Sequence, residues 1–287
     1  MRTPTRPHQL SLFRPPYRML VPLAAPESLA RFTAAPGSAL VWAMGSAPDR
    51  DFDEAVRRRP PGTPLLVLLP RGEEVARPQD LYAVVDRCRP HALLPFQEVP
   101  APLDLRTLLA EPPSDLAGAV VEYLAWRGVV LDLEVRRTVR RILELSAELR
   151  SVSGLARGLY MSRRALGRHF QRSGLPVPSH WLHFGRLLRA MLDLQTPGAT
   201  LMGVACRHGY PDGFSLSNQM KRLLGLRPTE FQGRLGWEWL VERWLQEEVR
   251  TGGFSVERAR LLVRGAPAPS RPSLPSGAPR RSERQPA

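Results

Sequence analysis

The stretch "LARGLYMSRRALGRHF" at residues 155–170 sets four arginines and a histidine on a scaffold of leucine, alanine and phenylalanine. Leu155, Ala156 and Leu159 fall on one face of a short helix, which bends at "LYMS". Ser162 can cap a second helix by accepting a backbone N–H bond. Leu166 and Phe170, four residues apart, then face inward, and Arg163, Arg164, Gly167 and Arg168 are left outside. Tyr160 stands at the bend, where a left-handed backbone would favour glycine.

A second stretch, "LMGVACRHGYPDGFSLSNQMKRLLG" at 201–225, repeats the pattern at an offset of 49 residues, with Val204-Ala205 matching Leu155-Ala156 and Gly209 matching Tyr160. Its turn is one residue longer, and Asp212 is the expected cap. Leu216 and Met220 face inward, and Gly213, Phe214, Ser217, Asn218 and Lys221 outward. Between the two stretches, "PSHWLHFGRLLRAMLDLQ" (178–195) has the spacing of one long amphipathic helix, burying Trp181, Phe184, Leu187, Leu188, Met191 and Leu194. Two helix-turn-helix units joined by a linker helix are the expected outcome.

The matching elements "LA…LYMSRRALGRHF", "WLHFGRLLRAMLDL" and "VACRHGYPDGFSLSNQMKR" followed by "LLGLRPTEF" resemble the DNA-binding domain of AraC/XylS-type transcription regulators, over roughly residues 134–235. The resemblance implies a seven-helix domain whose two recognition helices enter successive major grooves on one face of double-stranded DNA, about 34 Å apart. It departs from the family's pattern at Tyr160, Gly167, Gly213 and Phe214.

Charge agrees with a polyanionic partner. The formal net charge of the 287-residue chain is +14. Residues 151–235 alone hold 12 Lys and Arg against three acids, and four of the six histidines. Arg164 and Arg168 are candidates for guanine readout, since a guanidinium can bond O6 and N7 together. Arg163, Arg172, Lys221 and Arg222 are candidates for phosphate contacts, which position without specifying. Asn218 can read adenine, and Ser217 a phosphate or a base. Phe214 either touches a thymine methyl or is buried in the domain. His169, His180, His183 and His208 lack metal-ligand spacing and are read as structural or surface groups.

The remaining chain has four parts. Residues 1–17, rich in Pro and Arg, are expected to be a disordered arm, and the Pro/Ser/Gly/Arg-rich 265–287 a disordered tail. Residues 18–112 alternate strand-like runs ("SALVWAMG", "TPLLVLLP", "HALLPFQ") with helical ones ("PESLARFTAA", "DFDEAVRRRPPG", "QDLYAVVDRC", "LDLRTLLAE"), as in a small parallel α/β sheet. That order resembles the latter part of a response-regulator receiver. Ala43 and Met44 stand where its phosphoacceptor Asp would end the strand, and the last strand lacks the usual Lys-Pro. The resemblance therefore implies a degenerate receiver used for homodimerisation or another protein contact. Residues 113–133 read as a connecting helix and 236–264 as C-terminal helices. Their Trp237, Trp239 and Trp244 suit core packing or a helix-partner surface.

Two cysteines, Cys88 and Cys206, form neither a disulfide framework nor a zinc site, which points to a reduced, cytoplasmic protein. No transmembrane segment, catalytic constellation, metal cluster or cofactor motif is apparent. The expectation is a sequence-specific DNA-binding regulator, not an enzyme, with RNA polymerase a further candidate partner. The alternative is a protein-interaction regulator whose helix-turn-helix domain no longer reads DNA.

Overall fold

The computed structural model describes residues 7–24, 29, 36–47, 49–70, 78–95, 100–231 and 233–264. The stretch "PESLARFTAA" and the 265–287 tail lie almost wholly outside these residues.

Five strands form one mixed sheet in the order β2-β1-β3-β4-β5: β1 Gln9–Phe13, β2 Leu20–Pro22, β3 Ala39–Ala43, β4 Leu65–Leu69 and β5 Ala92–Pro95. The three joined by helical crossovers, β3, β4 and β5, are parallel. Helices α1 (Arg50–Arg57) and α2 (Pro78–Cys88) supply those crossovers, and α3 (Pro102–Ala110) follows β5. Asp49 caps α1 by accepting from Asp51 N at 2.9 Å.

The expectation of a parallel receiver-like sheet after a disordered arm needs correcting. Residues 9–13 of the expected arm are a strand, paired antiparallel to β2 on one side and β3 on the other. The short β1–β2 connection permits only an antiparallel hairpin, so the sheet is mixed. Lying inside the sheet, β1 buries Leu10, Leu12 and Phe13. Side chains alternate across the sheet as the pleat requires. Leu10, Leu12, Leu40, Trp42, Leu65 and Val67 meet Val56 of α1 and Val84, Val85 and Cys88 of α2. Phe13, Val41, Leu66 and Leu68 meet Leu105 and Leu109 of α3.

One buried guanidinium closes the first of these layers. Arg59 Nε donates to the Thr63 carbonyl at 2.9 Å, Nη1 to those of Val56 and Cys88, and Nη2 to that of Arg89. Burial pulls its pKa down to about 10, and its carbonyl partners include the C-terminal end of α2, where a cation complements the helix dipole.

The helical body contains α4 Leu116–Trp126, α5 Leu133–Leu145, α6 Val152–Gly158, α7 Arg163–Arg172, α8 Pro178–Gln195, α9 Leu201–Arg207, α10 Gly213–Leu224, α11 Pro228–Phe231, α12 Glu238–Arg250 and α13 Val256–Arg264. Its core is continuous from Ala117 to Leu262, so the expected boundaries at 133 and 235 fall inside one packed body. Trp244 of α12, wholly buried, stacks on Phe184 of α8 (centroids 4.1 Å, 9° apart) and meets Trp181 edge-on at 4.6 Å. Gly185 of α8 lies against Ser146 after α5, and a Cβ there would strike the Ser146 hydroxyl.

The sheet is fastened to this body by buried polar contacts. Within the body, Arg127 Nε and Nη2 hold Glu242 in place for them, donating to its two carboxylate oxygens at 2.7 and 3.0 Å. The Tyr123 hydroxyl donates to Glu242 and accepts from Gly62 N, in the loop before β4. His91 Nδ1 pairs with Glu238 at 2.8 Å. The Tyr17 hydroxyl donates to the Gly37 carbonyl and accepts from Leu235 N. The result is a three-layer α/β unit docked on a helical body, leaving α6, α7, α9 and α10 to form its other elements around α8.

Candidate nucleic-acid interface

Helix α6 begins under Ser151, whose hydroxyl accepts from Gly154 N at 3.1 Å. It ends where Tyr160 takes φ +53°. Tyr160 N then donates to the Arg157 carbonyl at 3.0 Å, and Met161 N to that of Ala156 at 2.9 Å, a Schellman closure. Ser162 caps α7, accepting from Ala165 N at 3.1 Å. Leu166 and Phe170 are fully buried, which fixes the opposite face outward. Arg164, Arg168 and Arg172 are exposed on it, and Arg163, on the side of Phe170, is exposed because it is the first residue of the helix. Gly167 sits among them with open space where a Cβ would stand.

Helix α9 repeats the construction. Thr200 caps it at 3.1 Å. Gly209 has φ +65°, Gly209 N donates to the Cys206 carbonyl at 3.0 Å, and Tyr210 N to that of Ala205 at 2.8 Å. Asp212 caps α10, accepting from Ser215 N at 2.7 Å, and that bond holds its carboxyl below the usual range. Leu216 and Met220 are fully buried. Phe214 is 73% exposed, Asn218, Lys221 and Arg222 are exposed, and Ser217 is half-buried.

Gly213 is a correction. It was expected to face outward, but it is buried, and a Cβ there would lie 3.4 Å from Leu201. Three residues before Leu216 and seven before Met220, it shares their inward face, and it lies against the start of α9. It supports the approach of the two helices and offers no surface.

The electrostatics of α7 are one-sided. Its first turn holds Arg163 and Arg164 and no acid. Cations at a helix N-terminus oppose the macrodipole by about 0.3–1 kcal/mol each, a cost that an anion bound there would relieve.

Two of the candidate histidines and the inner arginines pair within the fold. His208 Nε2 pairs with Asp193 at 2.9 Å, and His180 Nδ1 with Glu248 at 3.0 Å. Arg186 lies over the Tyr210 ring, 3.9 Å from its centroid, and bonds the Gly209 carbonyl. Arg189 donates to the Ser146 hydroxyl at 2.7 Å. Among the described residues no group of three His, Cys, Asp or Glu side chains could hold a metal ion, and no helix is long and apolar enough to cross a membrane.

Two features escaped sequence reasoning. The second turn is held from outside by Arg150, whose Nη1 donates to the Gly209 carbonyl at 2.8 Å. The first turn has no such cover, and Tyr160 is 98% exposed. Among the described residues, five helices end in the same pair of hydrogen bonds: α4, α6, α7, α9 and α12. Four have glycine at the left-handed position (Gly128, Gly174, Gly209 and Gly252), and α6 has Tyr160. For an L-residue with a side chain this conformation costs about 1–2 kcal/mol, and a ring in solvent returns nothing by packing.

A family model described as a helix-turn-helix domain matches residues 155–234, which carries the AraC-type likeness of this region and supports a DNA-binding transcription regulator. No curated protein and no solved structure matches the chain.

Proposed function

We propose that the protein regulates transcription by binding double-stranded DNA in two successive major grooves, with α7 and α10 as the recognition helices. The observation that carries this reading is the repeated construction: two helix pairs with the same capping and turn bonds, joined by the single helix α8, each presenting a polar outer face. Arg164 and Arg168 read guanines, and Arg163, Arg172, Lys221 and Arg222 hold phosphates. Asn218 reads adenine, Ser217 bonds a phosphate or a base, and the exposure of Phe214 supports contact with a thymine methyl rather than burial. The sheet domain supplies a protein contact, with a second copy of the chain or with RNA polymerase, and the protein works in the cytoplasm without a cofactor.

The test is binding of the full chain to duplex DNA across a salt series. Each neutralised phosphate should contribute roughly −0.9 to the slope of log K against log salt. No affinity at low salt, where phosphate contacts are strongest, would sink the reading.

One observation favours a second reading, a protein-interaction regulator that no longer reads DNA. Gly167 is bare and Gly213 is buried, so neither recognition helix has a full set of side chains on its outer face. Salt-independent capture of a protein partner without DNA binding would decide for it.

A further inference from the structure

Tyr160 lacks an internal reason for both its backbone and its side chain. Its backbone is left-handed where four equivalent helix ends use glycine. Its ring is 98% exposed. Among the described residues its hydroxyl has no hydrogen-bond partner. A strained residue persists where the surroundings or a function over-determine it, and here the surroundings do not.

Its position says what is outside. It stands two residues before Ser162, the cap of α7, at the end of that helix carrying Arg163 and Arg164. Arg157, on the turn before it, is also exposed. No acidic residue occurs between Glu148 and Asp193. A neutral donor set among cations fits a surface of anionic acceptor oxygens. A protein partner on this ground would have to be comparably acidic and would gain no more from a phenol than from a further arginine.

We infer that Tyr160 is a DNA-backbone contact: its hydroxyl donates to a phosphate beside the groove that α7 enters. The inference rests on the DNA reading above and adds a contact from the turn to those from the helix. The left-handed backbone is what carries the ring clear of the α6–α7 surface.

Tyr160→Gly and Tyr160→Phe test it in the full chain, by fluorescence anisotropy on one fixed duplex spanning two successive major grooves, with melting temperatures measured in parallel. Tyr160→Gly should melt higher than the natural chain and bind about tenfold more weakly, the worth of one hydrogen bond to a charged group. Tyr160→Phe should lose as much affinity with no gain in melting temperature. Because the phenol is neutral, neither variant should change the salt slope, whereas Arg163→Ala should make it shallower. Natural affinity in Tyr160→Gly overturns the inference. So does weakened binding by Tyr160→Gly alone, which would assign the contact to the ring. If Arg168→Ala weakens binding while both Tyr160 variants do not, only this inference fails. If the natural chain binds no duplex at all, the DNA reading fails with it.

Discussion

The guanidinium of Arg150 lies across the left-handed turn at Gly209, with Nη1 donating to the Gly209 carbonyl at 2.8 Å, so this turn has neither the conformation nor the room for a side chain. Gly209→Ala would force the φ of +65° on an L-residue and drive the new Cβ into Arg150. We expect a loss of about 2 kcal/mol, part from the backbone and part from the displaced hydrogen bond. Arg150→Ala should lose only about 1 kcal/mol, since its hydrogen bond is exposed. Urea midpoints at constant slope measure both, and equal losses would contradict this division.

Removing residues 236–287 should abolish cooperative unfolding of what remains. The cut takes away Trp244 and uncovers Trp181 and Phe184, which it packs against. Trp244→Ala in the full chain should by itself cost about 3–5 kcal/mol. A sharp, native-like melt of the truncated chain would show that α12 is an appendage after all.

Arg168→Ala should cost roughly 1–3 kcal/mol of DNA affinity, concentrated at one base pair if Arg168 reads a base. Affinity for a panel of single-base variants of a selected site distinguishes the roles. An equal loss across every sequence would reassign Arg168 to a phosphate.

The His180 and His91 pairs should make stability fall as pH rises from about 6 to about 8, outweighing His183, whose pKa burial lowers and which works the other way. The hydrogen bond that His180 donates to the Glu248 carboxylate holds its pKa above its ordinary 6.5. Burial pulls His91 down, but the Glu238 carboxylate and the Leu108 carbonyl outweigh it and leave it raised too. A pKa raised by folding contributes stability that is complete below the unfolded value and is lost as pH climbs through the folded one. Urea midpoints at both pH values should show the decline, and Glu248→Gln should flatten it. A natural chain equally stable at both would count against these pairs.

The parts legible in the sequence were those set by short-range rules. The i, i+4 pairs Leu166/Phe170 and Leu216/Met220 gave the buried faces of α7 and α10, and Ser162 and Asp212 announced their caps. The left-handed turn at Tyr160 could be inferred only by alignment with Gly209, since nothing about tyrosine asks for it. Strand β1 was hidden because "QLSLF" is five residues long and flanked by Pro and Arg, and what orders it is pairing with β2 and β3. Helix α12 left core packing and a helix-partner surface both open, because its tryptophans alternate with glutamates. Three of those carboxylates are nonetheless buried, each met by a partner distant in sequence: Glu238 by His91, Glu242 by Arg127 and Tyr123, Glu248 by His180. Among the candidate site residues, Gly213 faces inward rather than outward because it stands three residues before Leu216 and seven before Met220, on their side of the helix.

Helix α8 joins the two helix pairs as one rigid span of 18 residues, about 27 Å long. Gly185 and Arg189 seat it on Ser146, and Trp181 and Phe184 seat it on Trp244, so it has no freedom to bend or turn. On the DNA reading, that stiffness passes to the operator. Inserting roughly five base pairs between its halves would carry one half to the far side of the duplex, where this protein could not follow. The distance between the two written words would then be part of the address, as binding as the letters in them.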